Sequence, residues 1–316
     1  MTTEIQANIE TVREHILVLK NDGAVMADIA RESGVSASRL SQFLSGTYRG
    51  NSQIVADALA AWLENRNTER HSLPVMPEFV VTPTVKNIWG AFQYAQLTQS
   101  IAVVYGNPGL SKTTARDRFV VSRPNVWTFT VSRSSVKVAG CLYAIAQAIG
   151  VKEPQVYRPD FLYRQVRDEL KGKKGLIIVD EADRLGYETL EELRILQEES
   201  QVGLVLIGNH NVYKRLTGNE SRNVDFARLF SRIAARVVIE KATQADIDAI
   251  ADACGLTQDA RQVINWIARQ PGALRMVFYS LQLASTKALA MGEPLATSHI
   301  ISAIKDLGCE YKGAES

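Results

Sequence analysis

The sequence predicts an α/β protein: a three-layer domain built on a parallel sheet, followed by a helical lid and preceded by a small all-α domain. Three observations predict it. The first is Tyr105 to Thr114, Y-G-N-P-G-L-S-K-T-T, a Gly-rich loop set between a short apolar run and a helical stretch. The second is Gly175 to Asp183, G-L-I-I-V-D-E-A-D, whose continuous apolar run suits a central parallel strand and ends in carboxylates. The third is the tail from Thr243, where the apolar spacing is helical to the end.

Composition agrees with a globular chain. Of 316 residues, 46% are hydrophobic and 22% charged, ordinary values that leave room for two or three compact units. No apolar run approaches a membrane span and the N-terminus has no signal-peptide pattern, so a soluble cytoplasmic protein is expected, with no membrane partner. The three cysteines, Cys141, Cys254 and Cys309, lie far apart, and the four histidines have no ligand spacing. Net charge is +2 but uneven. Residues 1–70 hold 7 Lys/Arg against 9 Asp/Glu, residues 100–240 hold 21 against 16, and residues 241–316 hold 7 against 8. The middle segment is therefore the better platform for a polyanion.

In chain order, residues 9–20 read as a helix with Ile9, Val12, Ile16 and Leu19 on one face. From Ala24 to Gly46 come two short helices. Gly34 makes the turn between them, Val35 plugs the angle and Ser36 caps the second. Leu40, Phe43 and Leu44 face inward, which leaves Ser38, Arg39 and Gln42 outside. This resembles the helix-turn-helix of phage repressors, in which the second helix enters the major groove. Arg39, Gln42 and Arg49 are then DNA-binding candidates. The acidic balance of the segment also suits a small bundle used for protein contacts. A further helix, Gln53 to Asn65, would close the bundle, giving a domain of residues 1–66. Residues 67–84 hold three prolines without periodicity and read as a linker.

The nucleotide-binding domain is expected over 85–240. Val85 to Leu97 is an amphipathic helix placed near the nucleotide base. Ile101 to Val104 is the strand before the loop. In such a loop inward N–H groups and a helix N-terminus hold phosphate. The candidate nucleotide ligands are Gly106, Asn107, Pro108, Gly109, Leu110, Ser111, Lys112, Thr113 and Thr114, with Lys112 against the outer phosphates and Thr113 completing a Mg²⁺ shell. The pattern G-x-x-x-x-G-K-[ST] has one departure: Ser111 stands at the second glycine. A left-handed backbone there costs a non-glycine residue roughly 1–2 kcal/mol.

Val126 to Val131 is the second strand, followed by S-R-S-S-V-K and a helix from Val138 to Gly150. Arg133 and Lys137 put basic groups on that loop. Arg158, Arg164, Arg167, Lys171, Lys173 and Lys174 form a further basic cluster, of which the three lysines before the next strand read as a solvated helix face and turn. Asp180 is the candidate metal ligand and Glu181 the group that orients or deprotonates water. Lys112 and Asp180 lie 68 positions apart, and the two motifs together leave chance a poor explanation. A helix follows with Leu190, Leu193 and Leu196 buried and Glu188, Glu191 and Glu192 exposed. Val202 to Asn209 is another buried strand, whose terminal Asn209 can hold attacking water. In Phe226 to Ala234, Arg228 and Arg232 sit four apart on one helix face. In the lid, 241–316, helices are expected over Ala245–Cys254, Asp259–Gln270, Ala273–Met291 and Thr297–Leu307. Arg275 opens the third, where its charge opposes the helix dipole and hints at an anionic partner.

These pieces, in this order, resemble AAA+ ATPases, and the strings I-V-D-E-A-D, E-E-L-R-x-L-Q-E, F-A-R-L-F-S-R-I-A and P-G-A-L-R resemble the phage Mu B family over nearly the whole chain. The resemblance implies ATP and Mg²⁺ as cofactors and Asn209 and Arg275 as the two sensors. It implies Arg228 or Arg232 as an arginine acting on a neighbouring subunit's nucleotide. It further implies an ATP-dependent helical filament of this chain on double-stranded DNA. The partner would be a DDE-type phage transposase, in a bacterial host's cytoplasm. In the wider group of transposition ATPases the loop after the second strand tracks the DNA backbone, the place Arg133 and Lys137 hold here. Few side chains are candidates for base contacts, so sequence preference should be weak. A nucleotide-binding, hydrolysis-poor DNA scaffold or a helicase loader remain as alternatives.

Overall fold

The computed structural model describes residues 8–21, 24–72, 77, 79–154, 158–216 and 231–311. The chain divides into two compact units, Met1–Met76 with Ser285–Leu295, and Pro77–Ala284 with Ala296–Ser316.

The first unit begins with four helices: α1 (Ile9–Asn21), α2 (Met26–Ser33), α3 (Ala37–Leu44) and α4 (Ser52–Ser72). Their core is Val12, Ile16, Ile29, Val35, Leu40, Phe43, Leu59 and Trp62. The α2–α3 turn forms as expected. Gly34 adopts a left-handed backbone at φ 71° and the Ser36 hydroxyl accepts from the Arg39 N–H at 3.4 Å. Leu44 is only partly buried. The Arg13 Nε donates to the Phe43 carbonyl at 2.9 Å, and the Trp62 Nε1 donates to Glu32 at 3.1 Å. Helix α4 overruns its expected end and continues to Ser72. The physical reason is local: between Asn65 and Ser72 there is no Pro or Gly to stop it, and the first proline is Pro74.

In the second unit α5 (Pro83–Thr98) leads into β1 (Ile101–Gly106) and α6 (Lys112–Ser122). Then come β2 (Val126–Thr130), a 3₁₀ turn at Arg133–Ser135, α7 (Val138–Ile149) and α8 (Pro159–Leu170). They are followed by β3 (Leu176–Asp180), a 3₁₀ turn at Ala182–Arg184, α9 (Tyr187–Ser200), β4 (Gly203–Gly208), α10 (His210–Leu216) and β5 (Ile233–Ile239). The five strands form one parallel sheet in the order β2-β3-β4-β1-β5. Strands β1, β3 and β4 are buried along their whole length, which is why they read as unbroken apolar runs.

Period-two alternation splits each strand between two cores. Ile101, Val103, Tyr105, Ile177, Val179, Leu204 and Leu206 pack with Leu142, Leu162, Leu190 and Leu193 of α7, α8 and α9. The opposite face carries α5, which contacts β1, β4 and β5. The lid helices are α11 (Gln244–Ala253), α12 (Gln258–Ala268), α13 (Ala273–Met291) and α14 (Thr297–Asp306). Asp246 joins the first of them to α5: its carboxylate accepts from the Thr84 N–H at 2.8 Å and hydroxyl at 2.7 Å, and from the Thr243 N–H at 2.9 Å.

Candidate nucleotide-binding site

A parallel sheet aims the carboxyl ends of its strands at one edge, where α/β ligands bind. Here β1 leads into the glycine loop, β3 ends in Asp180 and β4 is followed directly by Asn209. The loop needs its glycines for definite reasons. Gly106 has φ 147°, and a Cβ there would stand 1.8 Å from the Ile239 carbonyl oxygen. Gly109 has φ 78°, and its Cβ would stand 2.0 Å from the Gly272 carbonyl oxygen. Asn107 ties the loop to the end of β5, donating from its backbone to Ile239 O at 2.9 Å and from Nδ2 to Glu240 O at 2.6 Å. Pro108 and Asn107 are exposed and Leu110 is buried.

Ser111 takes the left-handed conformation that the second glycine of the pattern supplies, with φ 60° and ψ 13°. Its side chain makes no capping bond, and α6 starts directly after it. The Lys112 ammonium donates to the carbonyls of Gly106 at 3.0 Å and Asn107 at 2.7 Å, closing the loop on itself. Burial pushes the Lys112 pKa below the usual lysine value; Asp180 and Glu181 oppose that, and the nearby Arg275 adds to it. Thr114 is exposed on the first turn of α6.

Asp180 is buried at 3% exposure. Its Oδ2 accepts from the Thr113 hydroxyl at 2.8 Å and from the Arg116 Nη1 at 2.8 Å, and its Oδ1 accepts from the Glu181 N–H at 2.9 Å. Thr113 and Asp180 thus present two hard oxygen donors side by side, a set suited to Mg²⁺ with water and phosphate oxygens filling the remaining positions. Glu181 sits in a left-handed conformation at φ 59° and pairs with Arg184 at 3.1 Å. Asn209 is exposed, and Asp183 fixes its direction: Oδ1 accepts from the Asn209 N–H at 3.2 Å and Oδ2 from Nδ2 at 2.9 Å. Arg275, on the first turn of α13, is exposed and joined to the loop through its N–H, which donates to the Gly109 carbonyl at 3.1 Å. Lys112, Thr113, Asp180, Glu181, Asn209 and Arg275 therefore share one end of the sheet.

The other candidates lie elsewhere. Arg228 is outside the described residues. Arg232 is exposed and paired with Glu198 of α9 within the same chain. Arg133 and Lys137 are exposed, and among the described residues neither has an ion-pair partner. Their loop is firmly built. Ser132 and Ser135 cap it reciprocally, the Thr189 hydroxyl donates to Val136 O at 2.9 Å, and a Cβ on Gly140 would meet Ser134 O at 2.2 Å. On and around α8, by contrast, Arg158, Arg167 and Lys173 pair with Asp160, Asp168 and Glu169, as a solvated face does. Arg39, Gln42 and Arg49 are exposed on and after α3, in the first unit. In α9, Glu188 is exposed but Glu191 and Glu192 are half-buried; Arg194 folds back onto Glu191 at 2.7 Å.

Reading the sequence missed Arg116, Asp183, Arg184 and Gly272. Asp183 had a visible signal as the last residue of D-E-A-D, and Gly272 as the P-G break before the lid helix. Arg116 had none, being one more cation on a helix. Among the described residues there is no cluster of three metal-ligating side chains, no helix long and apolar enough to cross a membrane, and the three cysteines are unpaired.

Comparison with known proteins agrees with this fold. A family model described as "AAA domain" matches residues 95–216, and one described as "Mu B transposition protein, C terminal" matches residues 231–307. Among solved structures, the ORC1 protein of Aeropyrum pernix, determined in complex with DNA, superposes with a TM-score of 0.54 at 21% identity, covering 75% of this chain and 68% of that one. Cdc6p of Pyrobaculum aerophilum gives 0.54 at 15% identity, over 75% and 70% of the two chains. At these identities the likeness concerns the fold. The "Mu-like prophage FluMu DNA transposition protein B" of Haemophilus influenzae is 40% identical over 85% of this chain and 93% of its own length. The "ATP-dependent target DNA activator B" of Escherichia phage Mu is 43% identical over 95% of this chain and 96% of its own. With the phosphate loop, the acidic strand and both family matches in sequence order, the chain belongs to the phage Mu B family of AAA+ transposition proteins.

Proposed function

We propose that this chain is an ATP-dependent DNA-binding protein that assembles on target DNA and activates a DDE-type phage transposase. The observation that carries the reading is the convergence of Lys112, Thr113, Asp180, Glu181, Asn209 and Arg275 at the end of the sheet. The name of the Escherichia phage Mu relative, a target DNA activator matched over 95% of this chain, supports the DNA half.

In the proposed cycle Lys112 exchanges the carbonyls of Gly106 and Asn107 for the outer phosphates of ATP. The Thr113 hydroxyl and the Asp180 carboxylate would hold Mg²⁺, which would supply charge neutralisation for the phosphates. Glu181 orients and deprotonates the attacking water, and Asn209, aimed by Asp183, holds that water in place. Arg275 meets the γ-phosphate from the lid. Arg228 or Arg232 approaches from a neighbouring subunit, so nucleotide binding and filament assembly become one event. Arg133 and Lys137 then align with backbone phosphates of the duplex, while Arg39, Gln42 and Arg49 add a second DNA contact. Hydrolysis loosens the subunit contact and releases DNA.

A hydrolysis-poor version of the same protein is favoured by one observation: Glu181 is engaged by Arg184 rather than free over the site. Phosphate release with and without DNA separates the two. The main test is assembly. The full chain with ATP and Mg²⁺ should form filaments on duplex DNA by imaging, and Lys112→Ala should abolish them. A Lys112→Ala protein that still assembles with ATP would overturn the site.

A further inference from the structure

We propose that Arg116 is the counter-charge Asp180 keeps in the absence of magnesium, and that it must yield this carboxylate for the metal to bind. The inference rests on the nucleotide-site reading above and adds a positioning residue to it.

The Asp180 and Arg116 side chains are 5% and 9% exposed. A carboxylate this far from water needs a partner charge. Lys112 does not provide it by contact, since its ammonium is turned to the Gly106 and Asn107 carbonyls. Arg116 does, with Nη1 at 2.8 Å from Asp180 Oδ2. That oxygen also accepts from Thr113, the residue that would share the metal. The guanidinium therefore stands against the oxygen a divalent cation needs. Two cations on one carboxylate oxygen repel.

Arg116 also has somewhere to go. Its Nε and Nη2 are anchored on Asp117 Oδ1 at 2.8 and 2.7 Å, and Nη1 has a second acceptor in the Thr130 hydroxyl at 2.8 Å. A small rotation about the Asp117 anchor leaves Nη1 on Thr130 and frees Oδ2. Thr130 ends β2, directly before the loop that carries Arg133 and Lys137. The bond at the foot of the basic loop is thus kept through the handover, and the one to Asp180 is given up.

The experiment is a magnesium titration at fixed ATP, followed by the thermal shift of the full chain. Arg116→Met, which keeps the bulk and removes the charge, should lower the magnesium midpoint by about tenfold or more, as relief of a like charge in contact predicts. It should also lower the melting temperature without nucleotide, and adding Asp180→Asn should restore part of that loss. Arg116→Lys should stay near the wild-type midpoint. Thr130→Val, which removes the acceptor Arg116 retreats to, should raise the midpoint; this variant serves if Arg116→Met does not fold. An unchanged or raised midpoint in Arg116→Met, or an unchanged one in Thr130→Val, overturns the proposal. If the wild type shows no magnesium-dependent response to ATP, the nucleotide-site reading fails instead.

Discussion

Replacing Ser111 by glycine should stabilise the protein, and the size of the effect follows from one backbone angle. Ser111 lies at φ 60° and ψ 13° and makes no side-chain capping bond to offset that conformation. A left-handed backbone costs an L-residue roughly 1–2 kcal/mol. Glycine removes this but adds freedom to the unfolded chain, worth about 0.5–1 kcal/mol in the other direction. Taking the middle of each range, the net gain is about 0.75 kcal/mol. For a cooperative unit of this size that is a rise of about 1.5–3 °C in melting temperature. Differential scanning fluorimetry of the nucleotide-free full chain measures it. ATP affinity should change less than about threefold, because the serine already occupies the required basin before any phosphate arrives. Ser111→Val is the opposite probe: a β-branched residue tolerates this basin poorly, so melting and ATP binding should both weaken. A Ser111→Gly protein that melts at or below the wild-type temperature refutes the strain argument. One that binds ATP tenfold more tightly shows that the loop is not preset.

Three further outcomes are expected. Asp246→Ala should cost about 1–3 kcal/mol, because the N–H groups of Thr84 and Thr243 lose their acceptor. Burial alone would raise the Asp246 pKa, but the bonds from Thr84 and Thr243 outweigh it and hold the carboxyl below its usual value. Its contribution is therefore present above the unfolded pKa and lost as pH falls through the lower folded one. Melting curves below about pH 4 should accordingly converge for wild type and Asp246→Ala, and a constant gap across that range would contradict it. Arg133→Ala should weaken duplex binding and lower the slope of log affinity against log salt by about 1, with ATP binding unchanged; an unaltered slope removes Arg133 from the interface. Arg184→Ala should leave melting nearly unchanged, since an exposed pair contributes about 0–1 kcal/mol, yet raise the rate of phosphate release by freeing Glu181. A fall in that rate would assign Arg184 to the nucleotide instead.

What could be read in advance, and what could not, divides along a physical line. The loop and the acidic strand were legible because each is contiguous: a buried parallel strand must be apolar along its length, and its end must carry the chemistry. The helix-turn-helix was legible for the same reason, with Gly34, Val35 and Ser36 side by side. Relations between distant residues were not. Nothing in R-D-R-F marks Arg116 as the partner of Asp180, 64 positions away, nor Thr84 as the partner of Asp246, 162 positions away. Nor does the sequence show that Arg232 is paired, because Glu198 meets it only across the fold. The end of α4 was misjudged because the eye stops at polarity, whereas a helix stops at a missing N–H or a residue that cannot follow the turn.

The approach of Gly109 to Gly272 has a consequence for how the lid is worked. With no side chain on either residue, main chain rests on main chain, and the Arg275 amide adds a direct strut to the same peptide. A displacement of that peptide would pass to the lid helix through main-chain contact, with no side chain between. Methylating Gly109, as alanine would, inserts a spacer into a linkage that has none.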